Sequence, residues 1–300
     1  SIYGNSNVVA ADISAEKCKA LAEAGPFEEL NALDGEGFSA IVKKYNIDTI
    51  FNLVALLSAT GEKNPKLAWD INIGALTNSL YIAKDNNCAV FTPSSIGAFG
   101  NDTPKDKTPQ DTLQRSNTTI YGVCKVTGEL LSDYYFNRFG VDTRSVRFPG
   151  LISYVTLPGG GTTDYAVEIY YDAIRKGSFT CNVKEGTYMD MMYMPDALNA
   201  VVQLMEADPS KLKHRNSFNI ASMSFEPEQI AAEIRKHLPD FKMDYQIDPV
   251  KQAIANSWPN SMDDTCAREE WGWAPKFDLT SMTNDMLIKV KEKFDKGLIK

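Results

Sequence analysis

A doubly wound, mostly parallel α/β sheet with a smaller C-terminal lobe is the fold this chain predicts. Three observations predict it. Short apolar runs rich in β-branched and aromatic residues alternate with longer segments of helical period, the pattern of βαβ units. The runs "DTIFNLVAL" and "CAVFTPSS" are apolar almost throughout, as strands covered on both faces must be. Beyond Gly150 the alternation loosens and glycines cluster, as in a lobe laid over the carboxyl edge of the sheet, where ligands bind in open α/β folds.

Each element has its own signal. "NVVAADIS" opens as a strand that ends on an acidic residue, Asp12, and a helical pattern follows over about 15–30, then "LNALD". "FSAIVKKYNI" reads as a helix, "DTIFNLVAL" as a buried strand, and "NPKLAWDINIGALTNSLYIAKDNN" as a long helix. "CAVFTPSS" is a strand, "TIYGVCKVTGELLSDYYFNRFG" a helix stopped at Gly140, and "DTRSVRFPG" a strand. "SFNIASMSF" reads as one further sheet strand and "PEQIAAEIRKHL" as a helix with His237 near its C-terminus. Residues 1–150 are expected to form the sheet domain, with strands near 187–225 returning to it, and 151–186 with 226–300 the smaller lobe. The usual first strand and glycine-rich turn into a helix do not precede Asp12. The native chain is therefore expected to carry roughly 20–30 further residues before Ser1, the span of one strand–turn–helix unit.

Composition narrows the function. The hydrophobic share of 43% and charged share of 23% are those of a globular protein with ample core. A net charge of −8 disfavours non-specific binding to nucleic acid or anionic membranes, and no apolar run approaches the ~20 residues that span a bilayer. The five cysteines are scattered, without C-x-x-C, which suits a reducing compartment and a cytoplasmic location; a mitochondrial matrix is the alternative. The two histidines stand far from the cysteines in sequence, so neither a metal site nor a Ser-His-Asp triad is expected.

What remains is a constellation of three side chains. "CAVFTPSS" carries Ser94 and Ser95 to a strand end, and Tyr121 and Lys125 follow one helical turn apart in "TTIYGVCK". Among thirteen tyrosines such a spacing arises by chance roughly once, so the pair alone decides nothing. Positions i and i+4 share a helix face, however, and let phenol and ammonium address one ligand. A free tyrosine, titrating near ~10, is a poor base at neutral pH; a cation beside it stabilises the phenolate, and a serine hydroxyl can orient a substrate hydroxyl for proton removal.

Serine, then tyrosine and lysine, in this order on alternating strand and helix, resembles the extended, nucleotide-sugar-epimerase-like branch of the short-chain dehydrogenase/reductase superfamily. The segments "PSSIGAFG", "RFPGLIS", "LPGGGTTDYA", "MMYMPDALNAV" and "IANSWPNSMDDTCAREEWGW" narrow the resemblance to the short-chain L-threonine 3-dehydrogenases. The resemblance implies a Rossmann-like domain, NAD as cofactor, L-threonine as the small-molecule substrate, and a homodimer built on the helix carrying the tyrosine and the helix before it. Both helices carry apolar residues beyond one core-facing stripe, as a second buried face requires.

The implied roles fall residue by residue. Tyr121 is the proton acceptor, Lys125 the ribose ligand that keeps the phenolate accessible, and Ser95 the hydroxyl-orienting residue. Asp12, Ile13, Asn31, Ala32, Leu53, Ala55, Asn72 and Leu151 join Tyr121 and Lys125 at cofactor-contacting positions. Asp12, at a strand end, would bond the ribose hydroxyls and repel a 2′-phosphate. The family often has aspartate where Asn31 stands; an amide oxygen still accepts from the adenine amino group. Ser58, Ser95, Tyr121, Thr162 and Thr163 form the implied substrate set. Ser94 is expected to be structural, Cys124 to be packing, and Trp258, Trp271 and Trp273 to be core of the smaller lobe. Two rival readings stand beside this one. A nucleotide-sugar epimerase or dehydratase would hold a diphosphate and usually reads R-D-x-x-x-V-x-D where this chain has "MDMMYMPD". A catalytically silent NAD-binding regulator commonly loses the tyrosine or the lysine, and both are present here.

Overall fold

The structure is a computed structural model and describes residues 2–112 and 118–299. The chain starts with β1 (Ala10–Asp12), α1 (Lys19–Ala24) and β2 (Phe27–Glu29), in which the two strands pair in parallel. There follow α2 (Gly35–Lys44), β3 (Thr49–Phe51), α3 (Ser58–Lys63), α4 (Pro65–Asn86), β4 (Ala89–Phe91), β5 (Ser94–Ser95) and α5 (Ile120–Phe139). Three short strands follow in close succession, β6 (Thr143–Arg144), β7 (Val146–Phe148) and β8 (Gly150–Ile152). The remainder is α6 (Tyr165–Lys176), β9 (Ser178–Cys181), β10 (Met189–Tyr193), α7 (Met194–Glu206), β11 (Phe218–Asn219), β12 (Met223–Phe225), α8 (Pro227–His237), β13 (Lys242–Tyr245), α9 (Pro249–Ser257), α10 (Thr265–Trp271) and α11 (Leu279–Asp295).

Strand pairing is parallel in the orders β3-β4-β6 and β11-β7-β5, and again between β9 and β13. Only β12 runs antiparallel among the described strands, against β10, which itself pairs in parallel with β8. The mixed α/β architecture is the predicted one. No helix among the described residues is long and apolar enough to cross a membrane.

Four expectations are corrected. The helix foreseen over about 15–30 is confined to Lys19–Ala24, because Gly25 and Pro26 break it and Phe27–Glu29 pairs with β1 instead. "DTIFNLVAL" is strand only at Thr49–Phe51. The Asn52 N–H still donates to Phe91 O (2.9 Å), after which the chain leaves the sheet and Leu53 is 68% exposed. "CAVFTPSS" breaks into β4 and β5 around Pro93, which has no N–H for a ladder. "SFNIASMSF" is two strands in different sheets, β11 beside β7 and β12 beside β10.

Local chemistry places the long helices well. Asn64 caps α4 by accepting the Leu67 N–H (3.1 Å), with Pro65 at the first helical position. Thr119 caps α5 through the Gly122 N–H (3.0 Å), and Gly140, at φ 71°, ends it in the left-handed conformation. α4 packs along α5, and Gly128 permits the approach: a Cβ built there would lie 3.1 Å from Leu76 Cδ2. The core divides into clusters around Ile50, Leu76, Leu80 and Val90, around Phe91, Val146, Leu204 and Phe218, and around Ile152, Tyr165, Tyr170 and Ile234. Trp258 lies in the third cluster, but Trp273 is buried in the second, against the sheet rather than in the later segments.

Candidate active site

β5 carries Ser95 to the end of the strand, where its Oγ accepts the Gly97 N–H at 3.1 Å and so caps the tight turn Ile96–Ala98. α5 starts one residue before Tyr121, and its ring lies against that same turn. A Cβ built at Gly97 would stand 3.3 Å from Cδ1 and Cε1 of Tyr121 and 3.4 Å from Ser95 Oγ. Phenol ring and serine hydroxyl therefore border one small space that only a glycine leaves open. Lys125 follows a turn later, its Nζ 5.2 Å from the Tyr121 ring centroid and donating to Pro93 O in the link between β4 and β5. Three residues separated by up to thirty positions in sequence thus meet at one strand end. Cys124, beside Lys125, is buried, and that burial raises its thiol above the ordinary range, which suits packing and not reactivity.

Behind Ser95 lies a charged support that sequence reasoning missed. The Ser94 hydroxyl donates to the Glu129 carboxylate, and Arg147 grips both oxygens of that carboxylate through Nε (3.1 Å) and Nη2 (2.9 Å). Arg147 Nη1 donates to Gln110 O (2.9 Å) and Asn219 Oδ1 (3.0 Å), and the guanidinium stands 4.9 Å from the Phe99 ring centroid. All of these side chains are buried. A buried pair of this kind is tolerable only with its remaining hydrogen-bonding groups satisfied, as they are for Arg147 here. The available signal was a glutamate on the inner face of "GELL" and an arginine inside the apolar strand "SVRF". Ser94 is structural, as expected.

The implied cofactor positions fall in three places. Asp12 ends β1, exposed, with Oδ1 accepting the Ser14 N–H at 3.2 Å, and Ile13 beside it is 72% exposed. Asn31 uses its Oδ1 on the Leu33 N–H (3.0 Å), while Ala32 O accepts from Asn78 Nδ2 (2.8 Å), which holds that loop on α4. Leu53 and Ala55 lie on the loop after β3. Asn72 braces this loop, accepting the Leu56 N–H (2.7 Å) and donating to Leu56 O (3.2 Å). Leu151 is half-buried in β8 against the Phe91 cluster. Apolar Ile13 and Leu53 laid open at two strand ends, an acidic group beside one of them and a lysine at the far side fit an adenine dinucleotide. The cavity between the sheet and helices α4 and α5, lined by Ala55, Asn72, Ser94, Lys125 and Glu129, reaches the lysine but touches neither Ser95 nor Tyr121.

Of the implied substrate set, Ser58 is buried at the start of α3. Thr162 is buried with a hydroxyl that has no partner among the described residues, and Thr163 packs its methyl against Gly150, where a Cβ would lie 2.8 Å from Thr163 Cγ2. The glycine-rich segment therefore returns to the edge of β8. Away from all of this, the fold brings His214 to Cys266 and Glu270, the ligand atoms of the three lying within 4.8 Å of one another. The separation of histidine and cysteine in sequence concealed that meeting.

With this geometry in view the similarities to known proteins are specific. The profile of the NAD dependent epimerase/dehydratase family matches residues 4–221. An uncharacterized epimerase/dehydratase of Staphylococcus haemolyticus is 58% identical over 292 residues, 97% of this chain and 92% of that relative. The X-ray structure of an L-threonine dehydrogenase from Clostridium difficile superposes with a TM-score of 0.95 at 56% identity, covering 97% of this chain and 91% of that one. A monomeric L-threonine 3-dehydrogenase from a metagenome superposes at 0.91 with 42% identity, covering 97% and 92%. Rossmann-like architecture, the serine–tyrosine–lysine group and a profile spanning the greater part of the chain agree, and the chain belongs to the NAD dependent epimerase/dehydratase family.

Proposed function

We propose that this chain is an NAD-dependent L-threonine 3-dehydrogenase that oxidises the β-hydroxyl to give 2-amino-3-ketobutyrate. The observation that carries the proposal is the shared space at Gly97, bordered by the Tyr121 ring and Ser95 Oγ, with Lys125 one turn away. NAD, when bound, supplies the hydride acceptor. Ser95 holds the substrate hydroxyl by hydrogen bonding, and Tyr121 takes its proton. Lys125 stabilises the phenolate that receives it and hydrogen-bonds the ribose, while Pro93 O holds the ammonium in place. Asp12 accepts from the ribose hydroxyls and repels a 2′-phosphate. Thr162 and Thr163, on the glycine-rich segment beside β8, contribute hydroxyls to a small polar substrate.

The nucleotide-sugar reading has less support. In place of the arginine that such enzymes carry, Met189 is buried in β10, and Asp190 next to it is buried as well. The deciding experiment follows NADH absorbance with L-threonine, with nucleotide diphosphate sugars, and with NADP in place of NAD. Turnover of L-threonine with NAD, and much weaker turnover with NADP, is expected. Conversion of a nucleotide sugar in the absence of threonine oxidation would refute the assignment. We further propose a homodimer formed through α4 and α5, although one of the similar proteins is a monomer.

A further inference from the structure

We propose that His214 and Cys266 bind one soft divalent cation of the zinc class, with Asp111 as a further ligand and Glu270 orienting the imidazole. His214 lies on the connection between α7 and β11, Cys266 and Glu270 on α10, and Asp111 on the segment that precedes α5. Three distant pieces of chain therefore meet at one imidazole. Sequence separation hides the group entirely: Asp111 and His214 are 103 positions apart.

The geometry has the two layers of a metal site. Glu270 is almost fully buried and pinned, accepting the backbone N–H groups of Lys213 (2.6 Å) and His214 (3.1 Å). Its other oxygen meets His214 Nδ1. A carboxylate only accepts, so Nδ1 carries the proton toward Glu270, and in the neutral ring Nε2 presents its lone pair on the opposite side. That is the carboxylate–histidine arrangement that fixes tautomer and ring orientation in protein metal sites. Nε2 faces Cys266 Sγ at 3.9 Å and Asp111 Oδ2 at 3.4 Å. Two ligands of one tetrahedral zinc ion, bound at the usual lengths, stand about 3.6 Å apart for nitrogen and sulfur and about 3.3 Å apart for nitrogen and oxygen. Both separations are within a few tenths of an ångström of those values, and Asp111, whose side chain is 81% exposed, has freedom to adjust. Imidazole, thiol and carboxylate together suit zinc or cobalt and not magnesium or calcium. On binding, the thiol proton leaves to solvent as the sulfur–metal bond forms. The site shares no residue with Ser95, Tyr121 and Lys125, and its consequence is mechanical: it ties Asp111 to α10.

The experiment uses the full chain, stripped with a chelator and titrated with Co²⁺, then with Zn²⁺ in competition. One equivalent of Co²⁺ should produce a thiolate charge-transfer band that Zn²⁺ bleaches. Zn²⁺ at a hundredfold excess over Kd should raise Tm by roughly 4 °C. Cys266→Ser should abolish the band, and Glu270→Gln should weaken affinity about 10–100-fold while keeping it. A Cys18→Ser control should leave the band unchanged. Absence of the band in the unmodified chain would overturn the proposal without recourse to any variant. A band that survives in Cys266→Ser would overturn it equally.

Discussion

Tyr121 stands in the first turn of its helix, next to a hydroxyl and a turn away from an ammonium. Removing the phenolic oxygen takes away the proposed base while leaving the ring that packs on Gly97. Tyr121→Phe should therefore lower kcat for L-threonine by ~10²–10⁴ with NAD affinity nearly unchanged. Lys125→Ala should impair both, because the proposed role of the lysine includes a hydrogen bond to the ribose. Steady-state kinetics paired with NADH binding titration separates the two effects, and near-normal turnover by Tyr121→Phe would sink the mechanism. Asp190 raises a different question. Burial, with the Asp264 charge nearby, pushes its carboxyl up to about 8, against the backbone N–H of Met262 that stabilises the ionised form. The folded chain therefore keeps a proton that the unfolded chain releases above about pH 4. Its stabilising contribution is full below that point and is lost as pH rises through about 8. Asp190→Asn should flatten the decline of Tm between about pH 5 and about pH 8 relative to the unmodified chain. Parallel Tm profiles for the two would exclude the effect.

At the level of elements, α5 bears Tyr121 on one side and the close contact with α4 on another. Gly128 sits 3.1 Å from Leu76 Cδ2 when a Cβ is built on it, so a branched side chain forces the two helices apart. Gly128→Val should cost about 1–3 kcal/mol by urea unfolding, as overpacking commonly does, and should shift Tyr121 relative to Ser95. An unchanged midpoint would mean that the helices separate freely here. The long helices were legible because their signals are local: asparagine and threonine caps, Pro65 and Gly140 act within one turn of the chain. The strands were less legible. Their limits depend on partners remote in sequence, so "DTIFNLVAL" promised nine residues where three pair, and the Pro93 break could be read only with its neighbours in place. The meeting of Ser95, Tyr121 and Lys125 at one strand end was legible through family resemblance and geometry of spacing. The Glu129–Arg147 support was not, since nothing in sequence says which glutamate an interior arginine meets, and the same holds for His214 and Cys266.

Taken as a whole, the described part of the molecule leaves several large apolar side chains of α4 and α5 exposed. Leu130 (63% exposed), Tyr134 (53%) and Phe139 (40%) stand on α5 and Trp69 (40%) and Tyr81 (53%) on α4, and the two helices' aromatics meet where Tyr81 packs on Tyr135. Tyr81, Tyr134 and Phe139 all pack on Tyr135, with ring centroids between 5.2 and 5.7 Å for Tyr81 and Phe139, so the face is preordered and loses little side-chain freedom on association. A twofold pairing through this face would cover it. Sedimentation at micromolar concentration should give twice 33.3 kDa, and Leu130→Asp should shift the chain toward 33.3 kDa. A sharp monomer for the unmodified protein would remove the dimer from the proposal.

The clearance at Gly97 has a consequence for how this protein can be silenced. One added methyl group at that position would crowd the Tyr121 ring at 3.3 Å and the Ser95 hydroxyl at 3.4 Å, while Asp12 and Leu53, of the proposed dinucleotide groove, are not among its neighbours. Displacing a reacting group by a few tenths of an ångström is expected to slow turnover on the order of tenfold. Gly97→Ala should therefore yield a folded decoy that still captures NAD and idles on threonine, measurable as unchanged NADH quenching with depressed kcat. So small a lesion would show chiefly as slowed turnover, so an assay of kcat is the measurement that reveals it.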